Sequence, residues 1–227
     1  MKSLHVLSIS VITLLMTVSA ISQNNCSKFY PFEEGINFQI TSYGKNNKVA
    51  AITDYTVSQV TNNSATYNSI LKDKNQKVLN EGNFKINCEN NGITMNLESL
   101  LNPQLFDQYR DFETTISGTN IVLPNNLQIG QELPDATMKM NIDMSGIQME
   151  MNVLMTNRNV IDQDTITTPA GSFYCYIISY TNTIEMGMSR TSTSKQWIAE
   201  GVGMVKQEDY NRRGKITSSS LLTRFNK

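Results

Sequence analysis

The chain has 227 residues, of which 39% are hydrophobic, and its 19 basic and 20 acidic side chains give a formal charge of −1. A nearly neutral chain has no basic stripe that could release the counterions of a phosphate backbone, so a nucleic acid is not an expected partner. The only histidine is His5, which lies in the predicted leader described next. Without His5 the chain can build neither a histidine-dependent nucleophile pair nor a His-ligated zinc site.

The N-terminus has the pattern of a secretory signal peptide over residues 1–22. Lys2 precedes an apolar run at 6–18, and small residues follow before Gln23. We therefore expect an exported protein, located in the periplasm, at the outer membrane or outside the cell. The remaining residues, 23–227, are predicted to form a single β-rich domain. No later stretch reaches the roughly 20 apolar residues of a spanning helix, so no transmembrane anchor is predicted.

Beyond residue 34 the hydrophobic pattern has a period of two, which is typical of antiparallel strands with one wetter face. For example, Tyr174, Tyr176, Ile178 and Tyr180 alternate with Cys175, Ile177 and Ser179. Clusters of Asn, Gly and Ser separate such runs along the whole chain. The predicted fold is mainly β: one curved antiparallel sheet, a half-open barrel with meander connections.

One helix is predicted at 103–112. Asn102 is a good N-cap and Pro103 a good first helical residue, and Leu105, Tyr109 and Phe112 then share one face. A single short amphipathic helix is marginal alone. We expect it to cover the concave side of the sheet.

The segment 138–155 holds six of the twelve methionines. It reads as a hairpin that turns at Ser145 and Gly146 and places most of its methionines on one face. Three interpretations remain open for this face: ordinary core, a wall for an apolar ligand or a partner segment, or a Cu(I) site made of thioethers. No metal ligand is assigned, because no imidazole supports copper and same-face pairs follow from strand alternation. The predicted ligand-contacting residues are Met138, Met140, Met149, Met151, Tyr174 and Tyr176.

Three cysteines in an exported chain leave one without an intramolecular partner. We favour a Cys26–Cys88 disulfide, which would tie down the N-terminus, with Cys175 as a buried thiol. Lipid modification of Cys26 is disfavoured, since Gln23, Asn24 and Asn25 are not the small or apolar residues such a site requires.

Catalysis by lysine or by paired carboxylates remains possible without histidine, and the enzymatic alternative we consider uses carboxylates. A hydrolase of envelope polysaccharide would need two acidic side chains in one cleft. The candidate acids are Asp162, Asp164, Glu185, Glu200, Glu208 and Asp209. Acidic residues near turns are usually solvated surface, so no catalytic residue and no cofactor are predicted.

Four ordered segments resemble an exported Bacteroidota family that includes TapB-like proteins. They are residues 26–35 (CSKFYPFEEG), 126–136 (NLQIGQELPDA), 168–175 (TPAGSFYC) and 197–206 (WIAEGVGMVK). The resemblance implies a fold similar to the half-barrel of LolA-type lipoprotein carriers, and it implies no catalytic residues. Residues 164–166 (DTI) also resemble a short O-glycosylation acceptor of exported Bacteroidota proteins, with Thr165 as the acceptor.

The expected function is thus that of a non-enzymatic envelope protein, a binding or assembly module. Its partner would be a lipid or another apolar ligand, or an envelope protein.

Overall fold

The computed structural model describes residues 26–100 and 112–227. The strands in these ranges are β1 (Asn37–Tyr43), β2 (Val49–Val60), β3 (Ser64–Lys72), β4 (Val78–Glu89), β5 (Gly92–Met95), β6 (Glu113–Gly118), β7 (Ile121–Pro124), β8 (Glu132–Leu133), β9 (Ala136–Met144), β10 (Ile147–Thr168), β11 (Gly171–Met186), β12 (Met188–Ala199), β13 (Gly203–Tyr210) and β14 (Ile216–Asn226). Two short 3₁₀ helices, Lys45–Asn47 and Leu97–Leu100, accompany them. Within the described residues no helix has the length and apolar character needed to cross a membrane.

Two sequence predictions fall on residues that are not described. The predicted signal peptide at 1–22 lies wholly outside the described residues. The predicted helix at 103–112 does so too, apart from Phe112, which forms a bend just before β6. Both therefore stay predictions.

All fourteen strands belong to one antiparallel sheet. Its order is β6-β9-β10-β11-β12-β13-β14-β1-β2-β3-β4-β5-β7, and β8 pairs with β10 beside this path. Strands β1–β5 form one meander and β9–β14 a second, and the two join where β1 pairs with β14. The predicted antiparallel sheet with meander connections is confirmed.

The two end strands of the sheet lie close together, because they follow each other in the chain. End strand β6 stops at Gly118 and end strand β7 starts at Ile121. Three Cα–Cα steps of about 3.8 Å span no more than about 11 Å, so the sheet must curl until its ends come within that distance. Strands β6 and β7 do not pair with each other in the strand order. We call this open junction the seam.

One hydrophobic core runs along the inside of the curve, from aromatic residues of β1–β4 to methionines of β9 and β10. In the first region Phe38 stacks on Tyr55 with ring centroids 4.9 Å apart, and Tyr67 stacks on Phe84 at 5.1 Å. Aromatic pairs of this kind add roughly 0.5–1.5 kcal/mol beyond their buried area. The interior is therefore largely filled by the chain's own side chains.

Strand β11 departs from the predicted single apolar face. Ile178 and Tyr180 are buried as expected, but Cys175 and Ile177, which point the other way, are buried too, and Tyr174 is exposed. The pairing explains this, since Cys175 and Ile177 face the buried Ala199 and Trp197 of β12. The sheet is covered on both faces at this point, so a simple alternation cannot describe it.

Residues 26–36, which we call the N-terminal strap, connect distant parts of the sheet. The amide of Lys28 donates to Asn125 Oδ1 at 2.8 Å, and the amide of Gly201 donates to the Lys28 carbonyl at 2.9 Å. The Lys28 ammonium lies 2.6 Å from a carboxylate oxygen of Glu200. The strap therefore joins the end of β7 to the turn between β12 and β13.

Candidate functional site

A cleft of about 440 Å³ opens at the seam. It is lined by Asn96, Leu97, Ile116, Ser117, Gly118, Thr119, Asn120, Thr137 and Met138. Three of these residues, Leu97, Ile116 and Met138, have apolar side chains, and most of the others have short polar ones. Leu97 and Met138 are almost fully buried, so Ile116 presents most of the accessible apolar surface and the rest of the exposed lining is mainly polar. A concave surface of this size has room for a small group.

Glycine at position 118 shapes the floor of the cleft. Gly118 has φ +153°, and a Cβ there would collide with the carbonyl oxygen of Thr137. That carbonyl also accepts a hydrogen bond from the Thr119 amide at 2.9 Å. The close approach of β6 to β9 at this corner therefore depends on the missing side chain.

The four predicted methionines are not gathered into one cavity wall. Met138 lines the cleft. Met140 and Met151 pair across β9 and β10 and are buried in the core. Met149 is half-buried nearer to the β9–β10 turn. The hairpin itself is as predicted, but most of its inner face packs against other side chains.

The two predicted tyrosines lie away from the cleft. Tyr176 is half-buried and meets Phe29 of the N-terminal strap edge-on, with ring centroids 5.7 Å apart. Tyr174 is 62% exposed, and its hydroxyl donates to Gln163 Oε1 at 2.9 Å. Neither tyrosine lines the cleft.

A buried arginine near the seam was not predicted from the sequence. Arg158 of β10 is only 4% exposed, and its two terminal nitrogens donate to the carbonyls of Pro134 (2.6 Å) and Val122 (3.1 Å). Its Nε has no hydrogen-bond partner among the described residues. Burial lowers the pKa of this guanidinium, against the opposing charges of Tyr180 and Asp135. The signal in the sequence is weak: Arg158 stands two positions before the apolar Val160, on the same strand face, in a mainly polar segment, 156–164.

A network of polar side chains lies on the inner face of β12–β14. Asp209 accepts hydrogen bonds from the hydroxyls of Ser194 and Ser218, both at 2.7 Å, and from Gln207 Nε2 at 3.1 Å. Ser194 is completely buried and also accepts from Asn182 Nδ2 at 3.0 Å. These bonds satisfy the carboxylate, and the network contains no second carboxylate with which it could share acid–base work.

The other candidate acids are spread over the sheet. Asp162, Asp164 and Glu185 are exposed, and Glu200 is paired with Lys28. Burial opposes the charged form of Glu208, but hydrogen bonds from Lys206 and Tyr210 lower its pKa overall. A general acid needs a raised pKa, and none of these residues lines the cleft. The arrangement therefore does not favour the carboxylate-dependent hydrolase.

Cysteine chemistry is restricted as well. Cys26 and Cys88 form a disulfide with Cα atoms 5.2 Å apart, and Cys175 is a buried free thiol. Burial, helped by nearby Asp164, raises the pKa of Cys175 to about 11, so the reactive thiolate is scarce at neutral pH. Thr165 is exposed on β10, and its glycosylation stays a prediction.

These features define an open, curled antiparallel sheet with a filled interior and a small cleft at its seam. The chain belongs to the DUF3108-like family, whose model matches residues 33–222. No curated protein is detectably similar to it in sequence.

Two solved structures share the fold. One is a Bacteroides fragilis protein provisionally described as exported and as having a YmcC-like fold. It aligns with a TM-score of 0.74 and 22% identity over 89% of this chain and 100% of its own. The other is a Parabacteroides distasonis protein provisionally described as a lipoprotein, with a TM-score of 0.74 and 20% identity over 88% and 99% of the two chains. At these identities the likeness establishes the fold alone.

Proposed function

We propose that this protein is an exported, non-enzymatic binding module of the bacterial envelope, and that the seam cleft receives an apolar part of its ligand or partner. The provisional descriptions of the two structural neighbours support an exported location. The predicted leader and the Cys26–Cys88 disulfide, which persists only in an oxidising compartment, support it too.

The single observation that carries the proposal is the chemistry of the cleft. Leu97, Ile116 and Met138 line it from three separate elements; Leu97 and Met138 are almost fully buried, and Ile116 remains 46% exposed. An apolar group placed against Ile116 in this concave site would lose contact with water, which stabilises binding by roughly 25 cal/mol per Å² of buried apolar surface. The short polar side chains at the rim can orient a polar end of the same ligand.

The first test uses N-phenyl-1-naphthylamine, an apolar dye whose fluorescence rises in a dry site. The protein is expressed with its leader and purified from the envelope fraction. We expect saturable dye binding by the wild type and at least tenfold weaker binding by Ile116→Glu, because the substitution puts a charge into the cleft wall. Ile216→Glu is the matched control, since Ile216 is 47% exposed but lies on β14, away from the cleft. Equal dye binding by all three proteins, or none by the wild type, would contradict the proposal.

A second measurement identifies the natural occupant. The resemblance to LolA-type carriers implies a lipid, and in that case organic extraction of the native protein followed by mass spectrometry should release it. Dye binding without extractable lipid would assign the cleft to a segment of a partner protein instead.

A further inference from the structure

The sheet brings three separate methionine segments of the sequence to one corner. Met140 pairs with Met151 across β9 and β10, and Met186 pairs with Met188 across β11 and β12. The β10–β11 ladder ends at the pair Asn152 and Glu185, and Met151 and Met186 are the residues that follow this pair on the two strands. Four methionines therefore form one row across four neighbouring strands.

Strand alternation alone places two methionines of one strand on the same face, but it does not align different strands. Here the register does so, and neighbouring strands are about 4.8 Å apart. Met149 lies two residue pairs closer to the β9–β10 turn than Met151. A continuation of the β10–β11 register past Asn152 and Glu185 makes it a diagonal neighbour of Met186, at roughly 7–8 Å between backbones. Long, unbranched thioether side chains can close such a gap.

Burial changes from core to solvent along the row and its neighbour Met149. Met140 and Met151 are buried, Met149 and Met186 are half-buried, and Met188 is 73% exposed. Packing accounts for the buried pair, because methionine fills irregular space in a core. It does not account for Met188, the most exposed large hydrophobic side chain in the described part of the chain.

We propose that Met149, Met186 and Met188 bind one Cu(I) ion at this corner. Thioethers are soft ligands that suit Cu(I), and three of them at one solvent-accessible corner provide a coordination set without any imidazole or thiolate. The ion would enter from the side of Met188, while Met151 closes the site from the core. The set is neutral, so the complex keeps the charge of the ion, and hard divalent cations would be rejected.

A thioether has no proton to lose near neutral pH, so metal binding by methionine can be distinguished from metal binding by other side chains. Sites made of Cys or His release protons on binding, and their affinity depends on pH. We therefore expect the same Cu(I) affinity at pH 5.5 and pH 7.5. This site lies apart from the seam cleft, so its failure would leave the proposed function untouched.

The experiment is a competition titration with bicinchoninate under argon, with ascorbate as the reductant so that the disulfide survives. We expect one Cu(I) per wild-type protein and at least tenfold weaker binding by the double variant Met186→Leu, Met188→Leu. Met204→Leu is the control, since Met204 is half-buried on β13, outside the row. Leucine conserves volume, and the single variant Met188→Leu, at an exposed position, tests the site without risk to the fold.

Equal Cu(I) binding by the wild type and the double variant would overturn the site. So would an affinity that rises with pH, which would assign the metal to a thiolate, or the absence of any stoichiometric binding. A repeat of the titration with Ag(I), which has no redox chemistry under these conditions, should rank the affinities of the wild type and the variants in the same order.

Discussion

At the scale of single residues, Asp54 forms ion pairs with both Lys72 and Arg224. One carboxylate oxygen accepts hydrogen bonds from Gln39 Nε2 (2.9 Å) and Arg224 (2.8 Å), and the other accepts from Lys72 Nζ at 2.7 Å. These partners come from β1, β14 and β3, while Asp54 itself is on β2. Burial opposes the charged form, but the bonds from Lys72 and Gln39 outweigh it, and the pKa of Asp54 is lowered.

A lowered pKa in the folded state means that Asp54 stabilises the fold above its unfolded pKa, near 4, and loses this effect as the pH falls through the folded value. We expect Asp54→Asn to lower the free energy of unfolding at pH 7 by about 1.5 kcal/mol, the lower end for charged hydrogen bonds, because Arg224 is half-exposed. The difference from wild type should shrink between pH 5 and pH 3. Urea denaturation across this range is the measurement, with the exposed Glu81→Gln as control. A difference independent of pH would show that Asp54 acts through its shape and not its charge.

At the scale of elements, Arg158 links β7, at one end of the sheet, to β10, the third strand from the other end. Its hydrogen bond to the Val122 carbonyl reaches β7, and its bond to Pro134 holds the segment between β8 and β9. An end strand presents unpaired backbone groups that invite association with other chains. Arg158 satisfies one of these groups and so protects the open seam.

We expect Arg158→Met to destabilise the protein by about 3 kcal/mol, since each of the two carbonyls left unpaired costs about 1–3 kcal/mol and removal of the buried charge offsets part of this. The stability of Arg158→Lys should lie between that of the wild type and that of Arg158→Met, because one ammonium group cannot reproduce the planar, two-pronged guanidinium. Urea denaturation measures the loss, and hydrogen exchange should show faster exchange of the β7 amides. The control is Arg190→Met, an exposed arginine on β12. Unchanged exchange in β7 would contradict the proposed link.

At the scale of the whole molecule, the disulfide fastens the N-terminal strap to the sheet. Cys26 lies at the start of the strap and Cys88 near the end of β4, 62 residues apart in sequence. Closing a loop of this length removes conformational freedom from the unfolded chain, worth about 4 kcal/mol in the loop-entropy model. The strap contacts β7 and the β12–β13 turn, so the disulfide also helps to keep the sheet curled.

We expect the double variant Cys26→Ala, Cys88→Ala to unfold at lower urea concentration, with a loss of up to about 4 kcal/mol. A reducing agent should destabilise the wild type to a similar extent and leave the double variant unchanged. Peptide mass spectrometry without reduction should find Cys26 linked to Cys88 and Cys175 free. A free Cys26 in the native protein would rule out this role for the disulfide.

Much of the architecture could be predicted from the residues alone. The period of two and the spaced turn residues indicate an antiparallel meander, because side chains of a strand alternate between faces whatever the surroundings. The Met138–Met155 hairpin follows from the same rule together with Ser145 and Gly146. The disulfide favoured between Cys26 and Cys88 is present in the structure. It was favoured because Cys26 lies near the N-terminus, which such a bond would tie down.

The tertiary structure alone decided where a site could lie. The cleft joins Leu97, Ile116 and Met138 because the two ends of the sheet curl together, and no local pattern encodes that distance. The register between β10 and β11 decides that Met151 and Met186 both follow the last pair of that ladder, and coverage on both faces decides that Cys175 and Ile177 are buried. Local sequence sets which way a side chain points within its strand, whereas its neighbours depend on pairing and curvature, which are properties of the whole chain.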